Sequence, residues 1–283
     1  MTYCVGMLVE DGLAMLADTR TNAGVDNISS YRKLHVINRP GQRIIAVATA
    51  GNLSVTQTAL ALVAEGITLP DSTQPETLET VPSLFRAAQI LGHAMAHVRQ
   101  IISPSPAADG LNISASMLVG GQIEGGKLGL YLIYGQGNFI ACGPDTPYLQ
   151  IGELKYGKPI LDRALRTDTP LGEAIKLGLI SFDSTMRSNL AVGPPFDMIV
   201  IPRDELTAQE RRIDADDPYF RDLGRRWSEA MAEAHRAMPS PPWLTLEPSP
   251  TGQAKRAFGS ASVSGSADNR SIRAVSDMGR PIR

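Results

Sequence analysis

One residue at the very start of the chain has the chemistry to cleave an amide bond. Thr2 lies directly behind Met1, and a threonine there is small enough for Met1 to be trimmed in the cell. Trimming would leave a hydroxyl and a free α-amino group on one residue, and such an amine titrates near about 7.7–8.0. The amine can then act as general base for its own hydroxyl, which is otherwise a poor nucleophile. Many chains begin Met-Thr, so Thr2 alone predicts no more than methionine removal.

A predicted hairpin brings a carboxylate to Thr2. The apolar run from Tyr3 to Val9 is followed by the turn dipeptide Asp11-Gly12 and a second apolar run from Leu13 to Ala17. This pattern is typical of two antiparallel strands. Because a hairpin returns the end of its second strand to the start of its first, we expect Asp18 beside Thr2. Asp18 could instead cap a turn at the strand end.

A cation and a backbone donor follow along the chain. Lys33 precedes an alternating segment and is the nearest candidate cation, although it could also be an exposed lysine on a strand edge. The buried run from Ile44 to Ala50 ends at Gly51, whose N–H could face a developing oxyanion. Asp18 would keep Lys33 charged and oriented, and Lys33 would lower the effective pKa of the Thr2 hydroxyl and amine. Together these groups predict acyl-transfer chemistry.

The ordered set resembles the N-terminal threonine hydrolases of the proteasome family. The matching segments are Thr2, Ala17-Asp18-Thr19-Arg20, Lys33 and Thr49-Ala50-Gly51. Two later segments, 150–163 and 181–195, look like the bacterial ancestral beta subunit, Anbu. The resemblance covers residues 2 to about 238. It implies an N-terminal nucleophile hydrolase with an α+β fold, a four-layer αββα sandwich.

The resemblance also implies function and partners. It suggests a threonine-type peptidase that acts on a peptide or unfolded protein within a self-compartmentalising homo-oligomer, either a closed ring or a helical turn. Asp183 and Ser188 match a carboxylate and a hydroxyl that orient the terminal amine in the family, with a longer spacing here. Thr21, Tyr31 and Thr49 match side chains near a substrate pocket. No unfoldase partner can be read from the sequence.

Glu153 departs from the proteasome pattern. Where classical subunits have Gly-Ser-Gly near the nucleophile, this chain has Gly152-Glu153-Leu154. A carboxylate there could raise the pKa of the terminal amine and weaken it as a base. It could instead join a network with Lys155 or Arg187 and leave the chemistry intact.

Composition excludes several other functions. The formal net charge of −2 gives no basic face for nucleic acid, and no apolar stretch approaches membrane-spanning length. Two cysteines do not make a disulfide framework, and the start lacks a secretory signal, so we expect a cytoplasmic protein. His93 and His97 lack the glutamate of a zinc-protease helix, and we predict neither a metal nor a cofactor.

The rest of the pattern completes a domain of residues 1–238 and a tail of residues 239–283. Predicted helices cover 52–65, 81–102, 157–165, 169–186 and 218–238, and later strands cover 114–119, 128–134, 139–142 and 198–201. Gly120-Gly121, Gly125-Gly126 and the 135–137 segment are interpreted as turns between strands. The tail is rich in Pro, Ser, Ala and Gly and is predicted to be disordered.

Three functions remain open at this stage. The chain could be a threonine-type peptidase, an amidase that acts on small or non-peptide amides with the same residues, or a weakly catalytic assembly scaffold. The intact mass of the protein would show first whether Met1 has been removed.

Overall fold

The computed structural model describes residues 1–22, 28–102 and 113–243. In chain order these form β1 (Tyr3–Val9), β2 (Gly12–Asp18), β3 (Arg20–Asn22), β4 (Ile28–Ser30), β5 (Leu34–Arg39), β6 (Arg43–Gly51), α1 (Leu53–Glu65), α2 (Leu84–Ile102), β7 (Ala115–Ile123), β8 (Gly129–Tyr134), β9 (Phe139–Ala141), β10 (Tyr148–Gly152), α3 (Lys158–Ala164), α4 (Leu171–Ser188), β11 (Phe196–Pro202), β12 (Gln209–Ile213) and α5 (Pro218–Ala237). One unit comprises Met1–His235, and a second begins at Arg236. The predicted tail lies mostly outside the described residues, and its disorder stays a prediction.

Two five-stranded antiparallel sheets form the centre of the first unit. One has the order β10-β1-β2-β11-β12 and the other the order β5-β6-β7-β8-β9, while β3 and β4 pair separately. Alternating side chains of each sheet point to opposite faces, which gives each sheet one face toward its partner and one toward helices.

Three hydrophobic layers follow from that alternation. Cys4 and Ala17 from the first sheet meet Ala46 and Leu118 from the second between the sheets. The outer face of the second sheet packs against α1 and α2 through residues such as Ile45, Val47, Val55 and Leu91. The outer face of the first sheet packs against α3, α4 and α5 through Val5, Leu16, Leu161, Phe182 and Phe220. The expected four-layer αββα sandwich is therefore confirmed.

The first hairpin is also confirmed, with its turn one residue earlier than the Asp11-Gly12 pattern suggested. Val9 pairs with Gly12, so Glu10 and Asp11 form the turn and Gly12 is already in β2. A Cβ at Gly12 would lie 2.6 Å from the carbonyl oxygen of Ile201 on the neighbouring strand. The glycine therefore allows close approach of β11 rather than a special turn conformation.

The interpretation of Gly120-Gly121 as a turn is wrong. β7 continues through both glycines to Ile123 and stays paired with β6 and β8. A Cβ at Gly120 would crowd Leu13 and Met15 across the space between the sheets. A Cβ at Gly121 would collide with the carbonyl oxygen of Ile44, and Gly121 has φ +147°. These glycines mark close packing inside a strand, which a single sequence does not distinguish from a turn.

Candidate active site

Thr2 immediately precedes β1, at one end of the space between the two sheets. It is 8% exposed, and its carbonyl oxygen accepts a hydrogen bond of 2.7 Å from the backbone N–H of Glu153. Gly152, at the end of the paired strand β10, has φ +87°, and a Cβ there would collide with the Thr2 carbonyl. Glycine at this position lets β10 lie directly against Thr2 and hold its backbone in place.

Asp18 lies next to Thr2 because of the hairpin register. Cys4 pairs with Ala17, so the next residue of β2 stands beside Tyr3. The Tyr3 backbone N–H donates to Asp18 Oδ1 over 3.0 Å. The sequence prediction that this carboxylate lies at the start of β1 agrees with this geometry.

Lys33 completes a buried ion pair. Its Nζ donates to Asp18 Oδ1 over 2.8 Å and to the backbone carbonyl of Arg20 over 2.6 Å. The lysine residue is 4% exposed and the aspartate 0%. Lys33 reaches this position from the residue before β5, so the second sheet supplies the cation and the first sheet the carboxylate.

Burial dominates the electrostatics of the pair. It raises the pKa of Asp18 above its ordinary value, and the Lys33 charge, its hydrogen bond and the Tyr3 N–H all act in the opposite direction without outweighing it. Asp18 Oδ2 and Thr21 Oγ1 are buried and have no hydrogen-bond partner among the described residues. Native proteins seldom leave such atoms unpaired, and both lie at this end of the sandwich.

A cavity of about 730 Å³ opens at the same place. Its lining includes Thr2, Lys33 and Gly51, which brings the predicted nucleophile, cation and backbone donor to one space. Gly51 ends β6 with φ +97°, and a Cβ there would collide with the carbonyl oxygen of Ser114. Thr21 and Thr49, expected near a pocket, also line the cavity, whereas Tyr31 is not among the lining residues.

Glu153 is buried and paired through neutral groups. Its Oε1 accepts the backbone N–H of Lys155 over 3.0 Å, and its Oε2 accepts Nδ2 of Asn189 over 2.9 Å. Asn189 is the residue after α4, and its Oδ1 accepts the Ala191 N–H, which fixes the direction of its amide. Two alternatives were expected for Glu153, and its contacts agree with the one in which it joins a hydrogen-bond network. The network includes the backbone N–H of Lys155 rather than its side chain.

Asp183 and Ser188 are not brought to the cavity. The Asp183 carboxylate accepts Nε of Arg187 over 2.9 Å and packs against Gly224 of α5. Ser188 is exposed at the last position of α4. Neither residue is among those that line the cavity at Thr2. Their predicted role in orienting the amine therefore has no supporting contact in the described part of the chain.

Sequence reasoning missed Gln150 and Asn189 as parts of this region. Gln150 lies on β10, which was not predicted as a strand because it is five residues long and at a sheet edge. Its Nε2 donates to the hydroxyl of Tyr3 over 2.5 Å, and that hydroxyl also contacts Ser181 Oγ at 2.5 Å. Tyr3, next to the predicted nucleophile, is the sequence signal for such partners, because a buried tyrosine hydroxyl needs polar groups around it.

The remaining polar motifs carry no site. His93 and His97 are exposed on α2, and the described residues contain no cluster of three or more potential metal ligands. Within the described ranges, no helix has both the length and the apolar character needed to cross a membrane.

Solved structures of the same overall shape are numerous. Anbu from Hyphomicrobium sp. strain MC1, in a Gly-1 mutant form, is 46% identical, with a TM-score of 0.76 over 85% of this chain and 99% of that one. Anbu from Yersinia bercovieri is 44% identical, with a TM-score of 0.76 over 87% of this chain and 100% of that one. The chain belongs to the Anbu family.

A third Anbu structure bears on assembly in that protein. It is described as the helical assembly of the Anbu complex from Pseudomonas aeruginosa, and its chain is 45% identical, with a TM-score of 0.78 over 85% of this chain and 98% of that one. No family model matches the sequence, and no curated protein matches it either. The family likeness agrees with the proteasome-like resemblance of the Thr2, Asp18 and Lys33 segments.

Proposed function

We propose that this Anbu protein is a threonine-type amide hydrolase in which Thr2, after removal of Met1, attacks a peptide bond. The observation that supports this most is the buried Lys33–Asp18 pair, whose lysine lines the same cavity as Thr2. Burying two charges is costly. A role of the Lys33 cation in activating Thr2 would account for the burial of both charges.

The proposed reaction first transfers the acyl group of the substrate to Thr2 and then hydrolyses the resulting ester. Thr2 Oγ adds to the substrate carbonyl carbon while its proton passes to the Thr2 α-amine, directly or through a water. The Gly51 N–H stabilises the oxyanion, an effect worth about 2.7–4 kcal/mol in comparable sites. The amine then protonates the leaving nitrogen as the C–N bond breaks, which leaves an ester on Thr2. Water hydrolyses this ester and restores the hydroxyl.

Lys33 and Asp18 act on this reaction through charge and position. The positive Nζ favours the deprotonated forms of the Thr2 hydroxyl and amine. Asp18 holds Lys33 in place and also accepts the Tyr3 N–H, so it links the cation to the backbone of the nucleophile's neighbour. Glu153 holds the Thr2 carbonyl through its own N–H, and Asn189 in turn holds the Glu153 side chain.

The decisive experiment compares the wild type with three variants that have the same N-terminal trimming. Intact mass first establishes whether Met1 is absent. Thr2→Ala should then lose at least about 10³-fold in peptidase kcat, as expected when a nucleophile is removed, and should not be labelled by an electrophile that reacts with N-terminal threonine. Thr2→Ser keeps the hydroxyl and should retain labelling. Thr207→Ala, on an exposed loop, serves as the matched control.

The outcomes separate the three candidate functions. A retained Met1 would contradict both enzymatic functions, because the Thr2 nitrogen would remain in a peptide bond. Labelling of wild type together with turnover of small amides but not of a peptide library would favour the amidase. Trimmed protein that is neither labelled nor active would favour the scaffold.

We also propose that the protein works as a cytoplasmic homo-oligomer. Support comes from the Pseudomonas aeruginosa Anbu relative, which is described as a helical assembly. Light scattering of the purified chain should give a mass of several subunits at micromolar concentration. A monomer across that range would contradict the proposal.

A further inference from the structure

The cavity at Thr2 has a wall of unusual composition. Its lining carries hydroxyl, amide and apolar side chains, and Lys33 is the one charged side chain among the described residues that form it. Lys33 already has an ionic partner, because its Nζ donates to Asp18 and also to the Arg20 carbonyl. An ionised substrate side chain would lose its water here without gaining a counterion.

The second sheet shapes the space through small residues. Ala50, Ser116 and Tyr134 stand in one row across β6, β7 and β8, because Ala50 pairs with Ser116 and Ser116 with Tyr134. Two small side chains in this row leave room next to Thr2. Alanine and serine cannot reach across the roughly 10 Å between packed sheets as larger side chains do.

Leu132 forms an apolar part of the same wall. It lies on the same face of β8 as Leu130, which is only 1% exposed in the closed core between the sheets. Leu132 is half-buried instead, and it is among the residues that line the cavity. An apolar side chain that enters the cavity would therefore cover leucine surface that water now contacts.

The Gln150 side chain points away from the cavity. Gln150 pairs with Val5, whose side chain lies in the layer that packs against α3, α4 and α5, and its Nε2 donates to Tyr3 OH in that layer. The Tyr3 hydroxyl is held in turn by Ser181 Oγ from α4. On this side of the cavity the first sheet therefore contributes Ile151, which belongs to the apolar layer between the sheets.

We infer that the cavity selects an uncharged substrate side chain beside the scissile amide. The inference rests on the proposed amide hydrolysis by Thr2. It adds the substrate class, which is a neutral side chain that is apolar or carries a hydrogen-bonding group.

The test uses the trimmed full-length protein and four fluorogenic peptides that differ only in the residue before the reporter: norleucine, glutamine, lysine or glutamate. The lysine and glutamate peptides should have kcat/KM values at least about tenfold below that of norleucine. Equal turnover of all four peptides would overturn the inference. Preference for glutamate would also overturn it and would point to the Lys33 charge as the determinant.

Two variants that each add a carboxylate test whether the lining of the cavity determines the preference among substrate side chains. Ser116→Asp adds a carboxylate to the half-buried row and should raise the turnover of the lysine peptide relative to norleucine by about tenfold. Asn138→Asp adds the same charge at an exposed turn outside the cavity and should leave the ratio unchanged. Equal ratios in the two variants would contradict the assignment of this cavity.

Electrophile labelling of Thr2, measured in parallel, separates failure of this inference from failure of the hydrolase itself, in which neither labelling nor turnover would be seen.

Discussion

Two ion pairs in this protein have nearly the same length and very different surroundings. Lys33 and Asp18 lie 2.8 Å apart with side chains 5% and 0% exposed. Arg39 and Glu79 lie 3.0 Å apart with side chains 58% and 53% exposed. Water screens the second pair and competes with it, whereas the first pair has been fully desolvated. Burial, not distance, distinguishes the pair for which we propose a function.

The buried charges are supported from several elements. Asp18 comes from β2, Lys33 precedes β5, and the Arg20 carbonyl begins β3. The exposed pair joins β5 to the loop before α2, and its loss would leave both groups in water. Removal of one partner should therefore be costly in the first case and nearly neutral in the second.

Lys33→Met should have the largest effect on this comparison. It leaves the Asp18 carboxylate buried without its cation, which we expect to cost about 3–5 kcal/mol of unfolding free energy in urea titrations. Peptidase activity should fall by at least about 10²-fold, because a charge next to the nucleophile is lost. Full activity in this variant would refute the electrostatic role of Lys33.

The double variant Asp18→Asn, Lys33→Met separates stability from catalysis. Both charges are absent, so much of the lost stability should return, while activity should stay low. Recovery of both properties together would mean that Lys33 and Asp18 act only through folding.

Acid pH should break the buried pair without a change in sequence. Burial raises the pKa of Asp18, so the carboxyl gains a proton above its ordinary pH range. Over that window the folded state binds more protons than the unfolded state, so this group's contribution to stability grows as pH falls and shrinks as pH rises. Activity should therefore fall with acidification before near-ultraviolet circular dichroism reports unfolding. Loss of both signals at the same pH would contradict this order.

Glu153→Gln tests a case with one buried charge and neutral partners. The new amide would place an N–H against either Asn189 Nδ2 or the Lys155 N–H, both of which are donors. We expect a loss of about 1–3 kcal/mol in stability and a smaller loss of activity than for Lys33→Met. Glu124→Gln, exposed and at a turn, is the matched control. Equal stability of the two variants would show that the Asn189 contact contributes little.

Arg39→Ala should have the smallest effect. The exposed pair with Glu79 is expected to contribute less than about 1 kcal/mol, and the peptidase rate should not change. Thermal unfolding at low and high salt gives the measurement. A loss as large as that of Lys33→Met would remove burial as the distinguishing factor between the two pairs.

Much of the fold could be predicted because apolar periodicity is a local property. The β1–β2 hairpin, the helix after Asn52 and the amphipathic α5 appear where their patterns indicate, and the Asn52 side chain accepts the Val55 N–H as a helix cap. β10 and β12 were missed because edge strands need little apolar pattern, and β12 reads Gln-Glu-Arg-Arg-Ile. Glycines inside β7 looked like turns because only the neighbouring strand reveals why a Cβ is excluded.

The sequence by itself determined which groups could act and in what order they occur: Thr2 at the start, Asp18 at the end of the returning strand, and Lys33 before the next sheet. Local patterns suffice for that, because the register of a hairpin is fixed by the length of its turn and by the apolar pattern of its two strands. Only the tertiary structure decided which distant groups meet them. It paired Glu153 with Asn189, gave Gln150 a fixed amide through Tyr3, and packed Asp183 against Gly224 of α5. Contacts between elements far apart in the chain depend on how layers pack, which no single segment encodes.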